Sequence, residues 1–525
     1  MAYKFTRRDS HKVSVFILTF FSYAFFHANR KAFSNVKTST GRVWTPSFHN
    51  ASEPELKPDY LWNAHHLFNS EDSAEQYQGI LDTVFMLAYA VGLFLNGYVG
   101  DRVNMRILLT IGMASSSVMV FIFGCVCEWA TFYNKYFYAF IWILNGLMQS
   151  TGWPVVVACM GNWFGQSSRG VLLGLWSSCA SVGNIIGALL VSSVLSYGYQ
   201  YAFLMTSTVL FAASFMIFFG LIPSPQEVGL ESVEDDENRE NQRAGSTSVN
   251  SEEQIDRGTY HYNRLYDQEP LLSDTHDEGA TSEGATVDPD DVTYNIETTR
   301  PASLSFLKAC LLPGVIPYAL AYAFLKLVNY SFFFWLPFYL NNAFKWKESE
   351  ADQLSTAYDV AGIVGGTLIG FISDRLGKRT VLIVPMLILS IPSLFMYGNS
   401  PNNVTINIVL MSLVGFFIGG AANLISAAVS ADLGCQKALR GDDKALATVT
   451  GVIDGTGSFG AALGQIAVPY LQTGLGWHSV FYLFMICMFL TMCCLFPLFI
   501  KELRSLRCCC RRTRGSVSLQ HEDGE

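Results

Sequence analysis

Long apolar runs separated by short polar breaks dominate the chain. A helix needs about 20 predominantly apolar residues to cross the hydrocarbon core of a bilayer. Twelve stretches meet that need, near 13–35, 79–100, 107–127, 137–160, 170–195 and 200–222, and again near 313–341, 355–373, 380–398, 405–430, 446–472 and 477–500. The pattern predicts an all-α membrane protein with 12 transmembrane helices, arranged as six-helix bundles over 13–222 and 313–500. Between them, the middle of 223–312 is rich in Asp, Glu, Ser, Thr, Gly and Asn and poor in large apolar residues. Such a composition cannot bury enough apolar surface to fold, so an acidic, disordered cytosolic linker is expected. The first stretch is too long for a cleavable signal peptide, and it carries Asn29, Arg30 and Lys31 where a small-residue cleavage site would follow.

Orientation follows from the basic residues. Lys4, Arg7, Arg8 and Lys12 lie in 1–12, and Lys501, Arg504, Arg507, Arg511, Arg512 and Arg514 lie in 501–525. Lys/Arg excess marks the cytosolic side, so both termini are expected there. Loop 36–78 then faces the lumen or the exterior, and its Asn50-Ala51-Ser52 is an N-glycosylation sequon. Asn403-Val404-Thr405 falls on the same side but close to the membrane, and Asn329-Tyr330-Ser331 lies inside a span.

Composition narrows the function classes. Charged residues make up 15% of the 525 positions and apolar residues 50%, against about 25% charged in soluble domains. The net charge of −9 is misleading, because 226–300 alone holds 20 acidic residues and five Arg, leaving the rest at +6. No basic stripe points to nucleic acid. The 12 cysteines show neither metal-ligand spacing nor a secreted disulfide framework. No metal or cofactor is expected. No GxxxxGK[ST] loop supplies an ATP engine, and no cluster has catalytic spacing, so an enzyme is disfavoured.

A repeat ties the two halves together. Gly97-Tyr98-Val99-Gly100-Asp101-Arg102 follows the second span and Gly370-Phe371-Ile372-Ser373-Asp374-Arg375 follows the eighth, 273 residues later. Glycine lets helices approach closely, and an Asp–Arg pair can latch the cytosolic ends of neighbouring helices. This pair of loops resembles the signature of the major facilitator superfamily, which implies two six-helix bundles related by a pseudo-two-fold axis and rocking around a central site.

A finer resemblance lies in Asn145-Gly146-Leu147-Met148-Gln149-Ser150-Thr151-Gly152-Trp153-Pro154, Gly161-Asn162-Trp163-Phe164, Ser181-Val182-Gly183-Asn184, His27-Ala28-Asn29-Arg30-Lys31, the stretch Lys326–Pro337 and Ile453-Asp454-Gly455-Thr456-Gly457-Ser458. Together these are similar to the organophosphate:phosphate antiporters and, within them, the sugar phosphate exchangers of the third type. The resemblance implies exchange of an organic anion for inorganic phosphate, residence in endoplasmic reticulum and lysosomal membranes, phosphonate efflux and a small membrane accessory subunit.

Charged residues inside a membrane are costly and are functional candidates by default. Arg30 and Lys31 lie in the first span and Lys326 in the seventh. Two opposed cations suit a phosphate dianion, with Arg offering a planar fork and Lys a compact charge. The resemblance assigns basic residues at the positions of Arg30 and Lys326 to this task. Snorkelling to the headgroups is the competing reading, strongest for Lys31. His27 shares a helix face with Arg30, and Asn145, Gln149, Trp153, Asn329 and Tyr330 are candidates to line a cavity. Asp82, Asp359 and Asp454 are carboxylates for proton uptake or charge pairing, with packing or capping as the plainer role. At Cys179 the exchangers of the first two types carry a histidine, so glucose 6-phosphate exchange is not expected here.

The linker holds Asp267-Gln268-Glu269-Pro270-Leu271-Leu272, an acidic dileucine pattern for sorting adaptors, preceded by Tyr262-Asn263-Arg264-Leu265. Cys508, Cys509 and Cys510 sit in a basic juxtamembrane run suited to palmitoylation. The leading function is a secondary antiporter in membrane lipid, taking a small anionic substrate and a counter-anion. A proton-coupled organic anion carrier and a non-transporting scaffold or sensor are the alternatives.

Overall fold

The computed structural model describes residues 6–45, 67–100, 103–164, 175–231, 310–429, 432–433 and 445–519. These belong to one compact unit formed by Met1–Val233 and Ser303–Glu525. Asn50, Asp101, Arg102, Tyr262, Asp267, Leu271 and Leu272 lie outside the described residues. The first half contains α1 (Arg7–Asn35), α2 (Lys37–Trp44), α3 (Glu71–Gly100), α4 (Met105–Trp129), α5 (Lys135–Gln149), α6 (Gly152–Trp163), α7 (Cys179–Val194) and α8 (Tyr199–Gly220). The second contains α9 (Val315–Phe344), α10 (Glu348–Leu376), α11 (Thr380–Gly398), α12 (Val404–Ser426), α13 (Ala445–Leu475) and α14 (Trp477–Leu519). With α5 and α6 counted as one broken span and α2 as a short extra helix, twelve spans result.

Local chemistry sets several ends. Thr6 and Asp9 close a reciprocal capping box on α1. Asn104, Asn134 and Asn403 each cap a following helix through the side-chain oxygen. The helices also outrun the apolar stretches: α3 begins at Glu71 and α14 continues to Leu519. Polar residues continue a helix that apolar residues anchor, so hydropathy marks the membrane-crossing part and misses the extensions. Among the described residues nine helices are long and apolar enough to cross a membrane by themselves. α1 is not among them, because it carries the polar run His27, Asn29, Arg30 and Lys31, buried within the bundle.

Among the described residues the halves meet chiefly through α3 with α13, α7 with α10 and α1 with α9, and also through α6 with α13 and α2 with α9. Close approach within each half fixes side-chain register. A Cβ at Gly183 would overlap the Ala24 carbonyl, so glycine there brings α7 onto α1. A Cβ at Gly460 would likewise meet the Ala323 carbonyl of α9.

At the α2 end the two halves are bonded together. Pro337 has no N–H and leaves the Phe333 carbonyl, four residues back, without a helical partner. Lys31 Nζ (2.5 Å) and Ser34 Oγ (2.8 Å) from α1 donate to that carbonyl instead. Ser39 donates its amide and hydroxyl to Glu348, Thr38 donates to Asn341 (3.3 Å), and Gln76 donates to Thr473 (3.3 Å).

Candidate functional site

Arg30 lies at the centre of the bundle and is 3% exposed. Its Nε donates to Gln149 Oε1 at 2.8 Å and its Nη1 to the Tyr330 hydroxyl at 3.2 Å. Its guanidinium also lies 4.5 Å from the centroid of the Tyr89 ring. Gln149 reaches it because α5 ends at that residue, and the span resumes as α6 just before Pro154. Arg30 therefore touches both halves. Its Nη2 and the neighbouring Gln149 Nε2 are buried without hydrogen-bond partners. Buried donors are almost always satisfied, so two bare donors side by side mark a place for an acceptor.

Lys326 is also buried, but not as a free cation. Its Nζ donates to Asp454 Oδ1 at 2.7 Å and to Ser458 Oγ at 2.8 Å, both on α13. The two opposed cations expected from the sequence are thus one guanidinium and one neutral pair. The pairing arises because α9 and α13 pack closely around Gly457 and Gly460.

A cleft lies between the halves, and His27, Lys31, Trp153, Asn184, Asn329, Tyr330, Asp359 and Asp454 are among its lining. Asn184 spans it. His27 Nδ1 donates to Asn184 Oδ1 at 3.0 Å, and Asn184 Nδ2 donates to Asp359 Oδ1 at 2.7 Å. The use of Nδ2 leaves Oδ1 as the acceptor, which places the His27 proton on Nδ1. Tyr358 donates to Asn329 at 2.7 Å. Trp153 Nε1, His27 Nε2 and Asp454 Oδ2 are buried in this lining without partners.

Lys31 is 2% exposed and turns inward to the Phe333 carbonyl, so it does not snorkel to a headgroup. Asn145 accepts from Ser116 at 2.8 Å, between α4 and α5, and is not in the cleft lining. Cys179 is buried at the start of α7, while Ala180 and Ser181 line the cleft. Asp82 forms a buried ion pair with Lys37 at 2.5 Å, and the Lys37 ammonium lies 3.3 Å from the Trp335 ring centroid on the other half. Lys37 was invisible in the sequence because it falls just past the first apolar run and reads as loop. Its one signal is a basic residue at a span exit.

Only the second copy of the repeated loop is described in full. Consecutive helical residues point about 100° apart, so Asp374 and Arg375 do not pair. Asp374 instead accepts from Arg379, beyond the left-handed turn at Gly377, and Arg379 also donates to Asp432 at 2.8 Å. Arg375 lies over the Phe371 ring at 4.2 Å. Gly97 is buried in α3, and Gly370 lies in the last turns of α10.

A family model described as Major Facilitator Superfamily matches residues 15–442. The chain belongs to that superfamily. This facilitator is 52% identical over 503 residues to "Sugar phosphate exchanger 3" of Xenopus laevis, covering 95% of this chain and 94% of that one. It is 36% identical over 502 residues to "Putative glycerol-3-phosphate transporter 5" of Arabidopsis thaliana, covering 95% and 92%. Among solved structures, a D-xylose-proton symporter matches with a TM-score of 0.56 at 13% identity, covering 94% of this chain and 97% of that one, which shows the shared fold alone.

Proposed function

We propose that this facilitator is a secondary antiporter that exchanges organic phosphate or phosphonate anions for inorganic phosphate by alternating access. The carrying observation is Arg30, buried where the halves meet, with an unpartnered Nη2 beside an unpartnered Gln149 Nε2. A guanidinium fork and an amide donor match the oxygens of a phosphoryl group. The printed names of the relatives support the substrate class. Lys326 enters the site as half of its pair with Asp454, and His27, Lys31 and Trp153 bring further polar groups to the cleft.

The test is counterflow. Proteoliposomes of the purified chain, loaded with inorganic phosphate, should take up labelled phosphate and be inhibited by external organic phosphates and phosphonates. No uptake above empty liposomes would overturn the reading. The replacement of histidine by Cys179 argues against glucose 6-phosphate as the main substrate.

Cytosolic termini, endoplasmic reticulum and lysosomal residence, Asn50 glycosylation and a small accessory subunit belong to the same proposal. Adaptors would read Asp267, Leu271 and Leu272 in the linker. Changing both leucines to Ala should shift the protein away from lysosomes in fluorescence images, and an unchanged distribution would remove that motif from the account.

A further inference from the structure

On the antiport reading, one cleft residue has chemistry that phosphate recognition does not use. Asp454 lines the cleft and is 4% exposed. Its Oδ1 is held by Lys326, while its Oδ2 is buried with no hydrogen-bond partner. Lys326 turns its ammonium to Asp454 and Ser458. The second half therefore presents the cleft with an acceptor rather than a cation. On the first half, Trp153 Nε1 is an unpartnered donor in the lining, and Arg30 Nη2 and Gln149 Nε2 are unpartnered donors behind it, with Arg30 bonded to the lining residue Tyr330. A ligand that satisfies both sides needs an oxyanion at one end and a hydrogen-bond donor at the other.

We propose that Asp454 is a specificity-determining residue whose Oδ2 accepts a hydrogen bond from a hydroxyl on the organic part of the substrate. Lys326 is the positioning residue that holds the carboxylate in place. A hydroxyl fits better than an ammonium. An ammonium at Oδ2 would share one carboxylate with the Lys326 ammonium already 2.7 Å from Oδ1, and like charges at that range in a poorly screened interior repel. Inorganic phosphate fills the donor side alone. Asp454 thus separates the hydroxylated ester from its deoxy counterpart, while the phosphoryl group is held by Arg30.

The experiment is labelled inorganic phosphate exchange in proteoliposomes, competed by glycerol 3-phosphate, propyl phosphate and 3-aminopropyl phosphate. These share a phosphoryl end and differ in the donor. In the wild type, glycerol 3-phosphate should compete at a concentration about 10-fold or more below propyl phosphate, the effect of one hydrogen bond to a charged group. Aminopropyl phosphate should do no better than propyl phosphate. In Asp454→Ala, and in the double variant Lys326→Met with Asp454→Leu, the first two competitors should fall to within about 2-fold of each other. The double variant guards against misfolding, because replacing both members of a buried pair by apolar groups is well tolerated. For a variant too slow to assay, ligand-induced thermal shifts of the full-length protein read the same ratio. Equal competition in the wild type, a ratio that survives in the variants, or strongest competition by the amine would each overturn the proposal. A wild type that exchanges no phosphate at all, and whose melting temperature no phosphate compound shifts, would instead overturn the antiport reading.

Discussion

Lys31 donates to the backbone carbonyl of Phe333 at 2.5 Å because Pro337 denies that carbonyl a partner within its own helix. A proline in one half thus creates the acceptor that a lysine and a serine of the other half occupy. The contact closes the α2 end of the bundle, which is the lumenal end in the proposed orientation.

Removing Ser34 from this contact should loosen that end. Ser34→Ala deletes the hydroxyl that reaches both Phe333 O (2.8 Å) and Phe334 O (3.0 Å). A net hydrogen-bond contribution of about 0.5–1.5 kcal/mol predicts a shift of about 2- to 13-fold toward the form open at the α2 end. The labelling rate of a cysteine placed at Thr473, measured with an impermeant maleimide, should rise by that factor. An unchanged rate would show that the serine does not hold the closure.

Arg30 should tolerate neither loss of charge nor loss of shape. Arg30→Lys keeps a cation and three donors but loses the planar fork whose spread nitrogens reach Gln149 and Tyr330 at once, so phosphate exchange should weaken. Arg30→Gln removes the charge as well and should be worse, with affinity lower by about 10- to 150-fold for one lost charge-assisted bond. Concentration dependence of phosphate exchange, at matched protein content, tests both. Wild-type affinity in purified Arg30→Gln would exclude the guanidinium as the anion site.

The Lys37–Asp82 pair should behave as a structural unit. Both side chains are fully buried, and removing one partner of such a pair strands a charge at a cost of about 3–5 kcal/mol. Lys37→Met and Asp82→Leu should each lower the melting temperature in detergent sharply. The double variant should regain much of the loss. Additive losses would mean that the two residues do not act through each other.

Asn50 should carry an N-glycan if loop 36–78 is lumenal. Enzymatic deglycosylation of the protein from mammalian cells should shift its gel band, and Asn50→Gln should remove most of that shift. An unshifted wild-type band would count against this placement of the loop.

Legibility in the sequence divides along physical lines. Span number and the six-plus-six division could be read because hydropathy is a local property, and Arg30 stood out because a charge in an apolar run is conspicuous wherever it points. Partnerships were not legible. Lys326 looked like a free cation because Asp454 lies 128 residues away and meets it only through the packing of α9 on α13. Asp82 was singled out without its partner, since Lys37 falls beyond the apolar run. The role of Pro337 was hidden for a related reason: a missing N–H is visible in sequence, but the identity of whatever takes the freed carbonyl is not.

The buried Lys37–Asp82 pair also constrains how the chain is made. Lys37 emerges at the end of the first span and Asp82 eleven residues into α3, so during synthesis the cation is complete before its counter-charge exists. Neither group can rest in lipid alone at small cost. In the proposed orientation the first two spans would then leave the insertion machinery as a joined hairpin, so that the pair would act as an assembly checkpoint built into the first 100 residues, before any part of the second half exists.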